Sequence, residues 1–256
     1  MTFNQDLDEH GAWRRQFALR LKLLAEWLSD HDLMEPGIRE RLDQLHVQVK
    51  EDKIMVAFVA EFSRGKSELI NAVFFAGYGR RIMPASAGRT TMCPTELGYD
   101  AEVPPCIRLL PIETRLQKQS LLEWRNAPEK WERVDLDVND PKQLAKAIQK
   151  VSEVRRVSQD EARALGFWND ELPDDNPILG PDGLVEVPKW RHALINMAHP
   201  LLKQGLVILD TPGLNAIGAE PELTVSLLPQ AHAVLFILAA DTAKFGQPEI
   251  NLGVLP

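Results

Sequence analysis

The hydrophobic pattern of the first fifty residues predicts a helical hairpin. In residues 9–30 apolar side chains recur at steps of four, four, three and four, the spacing of one helix face. They are Trp13, Phe17, Leu21, Leu24 and Leu28. Pro36 and Gly37 interrupt the pattern, and a second apolar stripe follows over residues 38–49. We assign residues 1–52 to a helical lead-in. We expect it to pack on protein rather than on a membrane surface, because its polar face mixes charge signs.

A strand, a polar turn and a helix follow one another in residues 54–75. The run from Ile54 to Val59 is rich in β-branched and aromatic residues, which predicts a strand covered on both faces of a parallel sheet. The turn ends in Gly65-Lys66-Ser67, and the apolar residues that follow it recur at helical spacing. We expect four side chains of that helix to point inward: Leu69, Ile70, Val73 and Phe74.

This order is typical of a phosphate-binding loop. A glycine lets the backbone approach a phosphate, a lysine places its charge on the β- and γ-phosphates, and a serine hydroxyl can join a Mg²⁺ shell. The helix that begins near Ser67 points its positive end at the same anion. The usual pattern is G-x-x-x-x-G-K-[ST], and Ala60 stands here at its first glycine. A chance Gly-Lys-Ser at a strand–helix turn is the alternative.

The rest of the chain alternates strands with helical and turn-rich segments. Apolar runs predict strands at residues 95–99, 106–113, 185–197, 206–209 and 231–241, the last of them buried. Dense mixed charges and three helix-start signals predict a helical insertion over residues 114–183. The signals are Thr114 with Gln117, Asp140 with Pro141, and Ser158 with Glu161. The predicted fold is α/β, a mixed, mainly parallel P-loop sheet flanked by helices, with the hairpin and the insertion added.

Asp210 is the candidate metal-binding carboxylate that accompanies a phosphate-binding loop at Lys66. It ends the apolar run 206–209, at the carboxyl edge where ligands of an open α/β sheet bind. Its carboxylate can hold Mg²⁺ through water, and the N–H of Gly213 in the following turn can meet the γ-phosphate. An aspartate that ends a buried strand before Thr-Pro-Gly has few structural reasons to exist, so we interpret Asp210 as functional.

A threonine in the Gly-, Ala- and Pro-rich loop before residue 95 is a second candidate metal ligand. In GTP-binding switch proteins a threonine in such a loop closes over the γ-phosphate and Mg²⁺. Thr90 and Thr91 are the candidates here. A solvated loop threonine is the plainer interpretation, and only the position in the chain favours the functional one.

Composition narrows the classes of function. The chain has 256 residues and a net charge of −8, which argues against a general nucleic-acid binder. Cys93 and Cys106 are too few for a disulfide scaffold and lack metal-site spacing. The N-terminus has no apolar signal region, and no run of eighteen apolar residues occurs. We therefore expect a cytoplasmic protein that does not cross a membrane.

Three segments together resemble the bacterial dynamin-like GTPases of the dynamin family. They are AEFSRGKSELINAV, TTMCPTEL and DTPGLNAIG, the last followed by a hydrophobic strand ending LAAD. Thr91 with Pro94 fits the family's T-x-x-P switch, whereas Thr90 with Cys93 does not. The 119 positions from Thr91 to Asp210 are similar to the long spacing of dynamin relatives. The resemblance covers residues 10–242.

The resemblance implies a partial GTPase domain over residues 53–256 that binds GTP or GDP, uses Mg²⁺ and hydrolyses GTP. It assigns Ser63, Lys66 and Thr91 to catalysis, with Ser63 assisting the attacking water, and Ser67, Thr91 and Asp210 to the metal. It implies nucleotide contacts from Glu61, Phe62, Ser63, Arg64, Gly65, Lys66, Ser67, Glu68, Asp210 and Gly213. Head-to-head pairing of two GTPase domains, peripheral membrane contact and membrane remodelling by a full-length protein are further expectations.

Two departures from the family pattern leave alternatives open. Arg64 stands where a small residue is usual; it can neutralise phosphate charge in cis, or face solvent or pair with Glu68, which we favour. The chain also ends before a guanine-reading [NT]KxD motif and so resembles a C-terminally truncated member. We expect weak binding, with GTP and ATP within roughly tenfold of each other. The alternatives to a GTPase are a truncated, non-catalytic nucleotide-binding fragment and a P-loop ATPase.

Overall fold

The computed structural model describes residues 3–35, 37–39, 41–42, 45, 49, 53–60, 65–84, 93–171, 173, 176–212 and 227–238. Its helices are α1 (Phe3–Asp30), α2 (Lys66–Phe74), α3 (Leu121–Arg125), α4 (Pro141–Ile148), α5 (Gln159–Ala164) and α6 (Pro200–Lys203). Its strands are β1 (Ile54–Ala60), β2 (Thr95–Gly98), β3 (Cys106–Pro111), β4 (Glu132–Asp135), β5 (Val154–Ser158), β6 (Leu184–Pro188), β7 (Trp190–Asn196), β8 (Leu206–Asp210) and β9 (Ala233–Ile237).

Seven of the described strands form one mixed sheet in the order β4-β3-β7-β2-β8-β1-β9. β1 is parallel to both β8 and β9, and β2 is parallel to β7. The pairs β2–β8, β3–β7 and β3–β4 are antiparallel. The predicted α/β class, a mixed sheet flanked by helices, is confirmed. Because β1 and β8 are parallel neighbours, their carboxyl ends meet at one edge of the sheet.

Apolar layers cover both faces of this sheet. On one face, here called the α2 face, Phe58 and Ile208 of the strands pack with Ile70 of α2. On the other, here called the α3 face, Leu209 packs with Trp124 of α3. Successive strand residues point to opposite faces, so the neighbours Ile208 and Leu209 belong to different layers. The strands at the centre of the sheet are thus covered on both sides.

The insertion, residues 114–183, combines helices with strands that its charge pattern did not predict. β4 extends the main sheet, β5 pairs with β6 in a separate two-stranded sheet, and α5 packs on that pair over a small core of its own. Two helix starts are confirmed, because the side chains of Asp140 and Ser158 cap α4 and α5. The helix start predicted at Thr114 is wrong, because Thr114 lies inside a 3₁₀ turn and Ser120 caps α3 instead.

β9 is not the buried strand that its apolar sequence predicted. It pairs with β1 on one side and forms the edge of the described sheet. Val234 is 52% exposed, Leu235 42% and Phe236 43%. An apolar run indicates a strand, but it does not indicate where that strand falls in the sheet order.

α1 confirms the first helix of the predicted hairpin but not its packing. Leu21 is buried, whereas Trp13 and Leu24 are 57% and 44% exposed. The described residues of the second helix are helical, and Arg14 of α1 donates a hydrogen bond to the Val49 carbonyl at 3.0 Å. Among the described helices, α1 included, none is long and apolar enough to span a bilayer.

Candidate nucleotide-binding site

The candidate site lies where α2 begins and β8 ends. β1 and β8 run side by side, with Phe58 opposite Asp210 in the register. Lys66 is the first residue of α2, and its Nζ lies 3.1 Å from Oδ1 of Asp210. The two side chains are only 9% and 3% exposed. The fold therefore brings together two of the residues that the sequence predicted, as a buried ion pair at the carboxyl edge of the sheet.

Gly65 precedes this helix in a left-handed conformation. Its φ of +86° is one that other residues rarely adopt. A Cβ built on Gly65 would meet no atom of the described residues within 4 Å. The backbone turn, rather than crowding by protein atoms, therefore explains the glycine. The unpaired N–H groups of the first helical turn belong to this same end, which favours an anion there.

Asp210 is a buried carboxylate with too few partners. It is 2% exposed, and neither of its oxygens has hydrogen-bond geometry with any donor in the described part of the chain. Burial raises the pKa of Asp210, and the Lys66 ammonium acts in the opposite direction. A buried carboxylate in this state is stabilised by a cation.

The donor set near Asp210 fits Mg²⁺. Ser67 follows Lys66 and is itself a buried residue, so the residues at this place offer carboxylate and hydroxyl oxygens, the hard ligands that Mg²⁺ prefers. Within the described ranges no three His, Cys, Asp or Glu side chains converge. Mg²⁺ is usually held by one or two protein ligands together with water and substrate phosphates, so Ser67 and Asp210 are a sufficient protein contribution.

Asn71, a residue that no sequence pattern singled out, connects the segment after α2 to the start of that helix. Its Nδ2 donates to the carbonyls of Ser67 at 2.8 Å and Met83 at 3.0 Å. Its Oδ1 accepts from the N–H groups of Ile82 at 2.9 Å and Met83 at 2.8 Å, so the amide makes all four of its hydrogen bonds. The available signal for Asn71 was a polar residue four positions after Ser67, on the inward helix face.

Val73, which the sequence predicted to point inward, is 41% exposed, so that prediction is wrong.

The neighbours of Asp210 fix the ends of the adjoining strands. The Thr211 hydroxyl donates to the Phe58 carbonyl at 2.8 Å, which ties the end of β8 to β1. On the other side Thr95 lies opposite Asp210 in the β2–β8 register, and its hydroxyl donates to the Cys93 carbonyl at 3.1 Å. Burial raises the pKa of the Cys93 thiol to about 12, and the Asp210 charge adds to that effect. Cys93 is therefore a neutral thiol at pH 7.

Seven predicted site residues lie outside the described residues. They are Glu61, Phe62, Ser63, Arg64, Thr90, Thr91 and Gly213. Their roles stay predictions. Glu68 is described, and its carboxylate pairs with Arg81 across the surface. The glutamate that we expected to pair with Arg64 therefore has another partner.

A second group of charged side chains lies on the α3 face of the same strands. Glu96 of β2 is 6% exposed and shares hydrogen bonds with Nε2 of His192 on β7, at 2.9 Å, and with Arg125 at the end of α3. Burial alone would raise the pKa of Glu96, but the hydrogen bond and charge of His192 and the charge of Arg125 outweigh it, and the pKa is lowered. No sequence pattern predicted this cluster, and its one local signal is a glutamate inside an apolar strand.

The mixed sheet flanked by helices, with Lys66 in the first turn of α2 and Asp210 at the end of β8, has the fold of the P-loop nucleoside triphosphatase class. Within that class, the chain belongs to the dynamin family. The sequence profile of that family matches residues 56–246, most of the chain. The predicted resemblance to bacterial dynamin-like GTPases is confirmed.

Individual proteins also resemble the chain. A bacterial dynamin-like protein of Nostoc punctiforme is 22% identical over 248 residues, which is 93% of this chain and 29% of the relative. The chain thus spans less than a third of that relative's length. Two solved structures of an oligomerised bacterial dynamin pair, described as a mechanism for long-range sensing and tethering of membranes, also align. They show 19% and 14% identity, cover 78% and 90% of this chain and 23% and 28% of theirs, and have TM-scores of 0.39 and 0.42.

Proposed function

We propose that this chain binds GTP with Mg²⁺ at the ends of β1 and β8 and hydrolyses it. The observation that carries the proposal is the buried pair of Lys66 and Asp210, 3.1 Å apart, in which the carboxylate has no other described partner. Without nucleotide each charge serves as the partner of the other. A triphosphate with its cation offers each of these two side chains a stronger partner, because Lys66 can bind phosphate while Asp210 binds the metal.

Each predicted residue has a role in this proposal. Lys66 holds the β- and γ-phosphates, and Ser67, Thr91 and Asp210 hold Mg²⁺, which when bound neutralises negative charge on the phosphates. Ser63 orients the attacking water. The remaining contacts to the nucleotide come from Glu61, Phe62, Arg64, Gly65, Glu68 and Gly213.

Pairing of two copies through the GTPase face, and peripheral membrane contact in the cytoplasm, belong to the same proposal. The support is the family, together with the oligomerisation and membrane tethering named for the two solved structures. Light scattering of the chain with and without GTP tests the pairing, and cosedimentation with anionic and neutral vesicles tests the membrane contact. An unchanged mass with GTP contradicts the first, and no enrichment on either vesicle contradicts the second.

A competition titration tests the nucleotide. Fluorescent GTP is bound to the chain with Mg²⁺ and then displaced with unlabelled GTP or ATP. Displacement by GTP at the lower concentration supports the proposal, whereas displacement by ATP at the lower concentration favours a P-loop ATPase. Binding without phosphate release over a long incubation would identify a non-catalytic nucleotide-binding module.

The switch threonines form a matched pair of variants for hydrolysis. Thr91→Ala is expected to spare nucleotide binding and to slow phosphate release on the order of 10²-fold, because metal and phosphate contacts strengthen in the transition state. Thr90→Ala, one residue away, is expected to leave the rate close to that of the unaltered chain. The reverse result would show that Thr90 is the switch residue.

A further inference from the structure

The cluster of Glu96, Arg125 and His192 is an unfavourable group to bury and is not needed to fill the core. Replacement of buried ion pairs by apolar residues of similar volume is often neutral or stabilising. The surroundings here are apolar, because Leu194 and Leu209 flank Glu96 in the strand register. A charged group kept among such residues indicates a role other than packing.

The cluster lies one residue away from the β2 position that pairs with Asp210. The Glu96 side chain accepts a hydrogen bond from Arg125 on the α3 face. The residue before it, Thr95, lies opposite Asp210 on the neighbouring strand β8. Directly opposite residues of an antiparallel pair share a face of the sheet. A shift of β2 that broke the Glu96 contacts would therefore also move Thr95 relative to Asp210.

The insertion holds the start of β2 from both faces of the sheet. On the α3 face the contact is Arg125, whose side chain is 32% exposed and pairs with Glu96. On the α2 face, the carbonyl of Val151, in the 3₁₀ turn after α4, accepts from the Cys93 N–H at 3.5 Å and the Cys93 thiol at 3.6 Å. Two separate parts of the insertion thus fix the four residues 93–96.

We propose that Arg125 is a positioning residue for hydrolysis. Through Glu96 it holds the start of β2 in register with Asp210, so that the insertion controls the rate of the reaction and not the affinity for nucleotide. This inference rests on the proposed GTPase function and adds a residue that touches neither nucleotide nor metal.

The separation of rate from affinity follows from the geometry. Ground-state binding of the nucleotide depends on Lys66, the start of α2 and the Mg²⁺ proposed at Asp210, and Arg125 contacts neither Lys66 nor Asp210 among the described residues. The reaction, in contrast, depends on the placement of groups around Asp210, where a displacement of about 1 Å can lower a rate on the order of 10²-fold. A loss at Arg125 should therefore appear in kcat and leave the dissociation constant unchanged.

The test uses Arg125→Gln in the intact chain, with single-turnover hydrolysis of Mg²⁺-GTP and nucleotide titration on the same preparation. We expect hydrolysis to slow by about tenfold to 10²-fold and GTP affinity to stay within about twofold. Arg125→Lys, which keeps the charge, should restore part of the rate. Arg125→Met, which keeps the bulk, gives the same answer if the glutamine variant is poorly folded.

Arg133→Gln is the matched control. Arg133 belongs to the same insertion and also forms an ion pair, with Asp135, but its partner lies on β4 and not on β2. A rate for the Arg125 variants no lower than that of Arg133→Gln, or a parallel loss of GTP affinity, would overturn the inference while leaving the GTPase proposal intact. Absence of GTP binding or hydrolysis by the unaltered chain would overturn both.

Discussion

Asp210 and Glu96 are two buried carboxylates on neighbouring strands that differ in how their charge is satisfied. They are 2% and 6% exposed, and they sit one position apart in the β2–β8 register, on opposite faces of the sheet. Glu96 is bonded by His192 and Arg125. Asp210 has the Lys66 ammonium at 3.1 Å and no other described partner.

The pKa shifts of the two carboxyl groups follow from this difference. Burial raises the pKa of Asp210 despite Lys66, whereas partners outweigh burial at Glu96 and lower its pKa. A carboxylate whose hydrogen bonds are already made is held in one place and has little to gain from a ligand. A carboxylate without them gains from a cation. The sheet thus presents a fixed anion on the α3 face and an available one on the α2 face.

The largest expected effect is on nucleotide binding by Lys66→Ala. No other described cation reaches Asp210, so the variant loses the charge that binds phosphate and leaves the carboxylate buried without a partner. We expect GTP affinity to fall at least about 10²-fold, or ~2.7 kcal/mol, in a fluorescent-nucleotide titration. Lys118→Ala, at an exposed lysine of the insertion, is the control and should bind as the unaltered chain does. Equal affinity of the two variants would rule out Lys66 as the phosphate-binding residue.

An intermediate effect is expected on folding stability in Glu96→Gln. Removal of one partner of a buried pair destabilises strongly, although the partial exposure of Arg125 moderates the loss. We expect the free energy of unfolding at pH 7 to fall by about 2 kcal/mol in urea titrations. Glu129→Gln, at an exposed glutamate of the insertion, should change it little.

The stability difference between the unaltered chain and Glu96→Gln should depend on pH, in the direction set by the lowered pKa of Glu96. Because the pKa of folded Glu96 lies below the ordinary value of 4.5, its ionised form stabilises the fold fully above that value and loses its effect as the pH falls through the lowered pKa. The stabilities of the unaltered chain and Glu96→Gln should therefore converge in acid. A gap that stays constant from neutral pH into acid contradicts the ion-pair account.

The smallest expected effect is that of Thr211→Val. Valine matches the shape of threonine but loses the hydroxyl that donates to the Phe58 carbonyl at 2.8 Å. The free energy of unfolding should fall by about 1 kcal/mol, the usual contribution of one buried hydrogen bond. Thermal unfolding measures the change, with Thr211→Ser as the variant that keeps the donor. A valine variant as stable as the unaltered chain would show that this bond does not hold β8 to β1.

Local sequence patterns were sufficient for the parts of the site that lie on single elements. The apolar runs predicted β1 and β8, and the turn before α2 predicted that Lys66 and Asp210 meet at the sheet edge. These predictions succeed because a parallel sheet collects the ends of its strands at one place, whatever their distance along the chain.

Features that depend on contacts between distant segments could not be predicted. The burial of β9 depends on which segments of the chain pack on its two faces. The Glu96 cluster joins residues of β2, α3 and β7, and no local pattern indicates that these meet. Asn71 was missed because the helical period was interpreted through apolar residues only, although a fully bonded amide fits an inward position equally well.

The most direct test of the contrast between the two carboxylates is the Mg²⁺ dependence of GTP binding in Asp210→Asn and Glu96→Gln. Each variant removes one buried negative charge and keeps the shape of the side chain. We predict that Mg²⁺ tightens GTP binding by at least about tenfold in the unaltered chain and in Glu96→Gln, and that this effect is lost in Asp210→Asn. Retention of the Mg²⁺ effect in Asp210→Asn, or its loss in Glu96→Gln alone, would contradict the assignment of Asp210 as the metal-binding carboxylate.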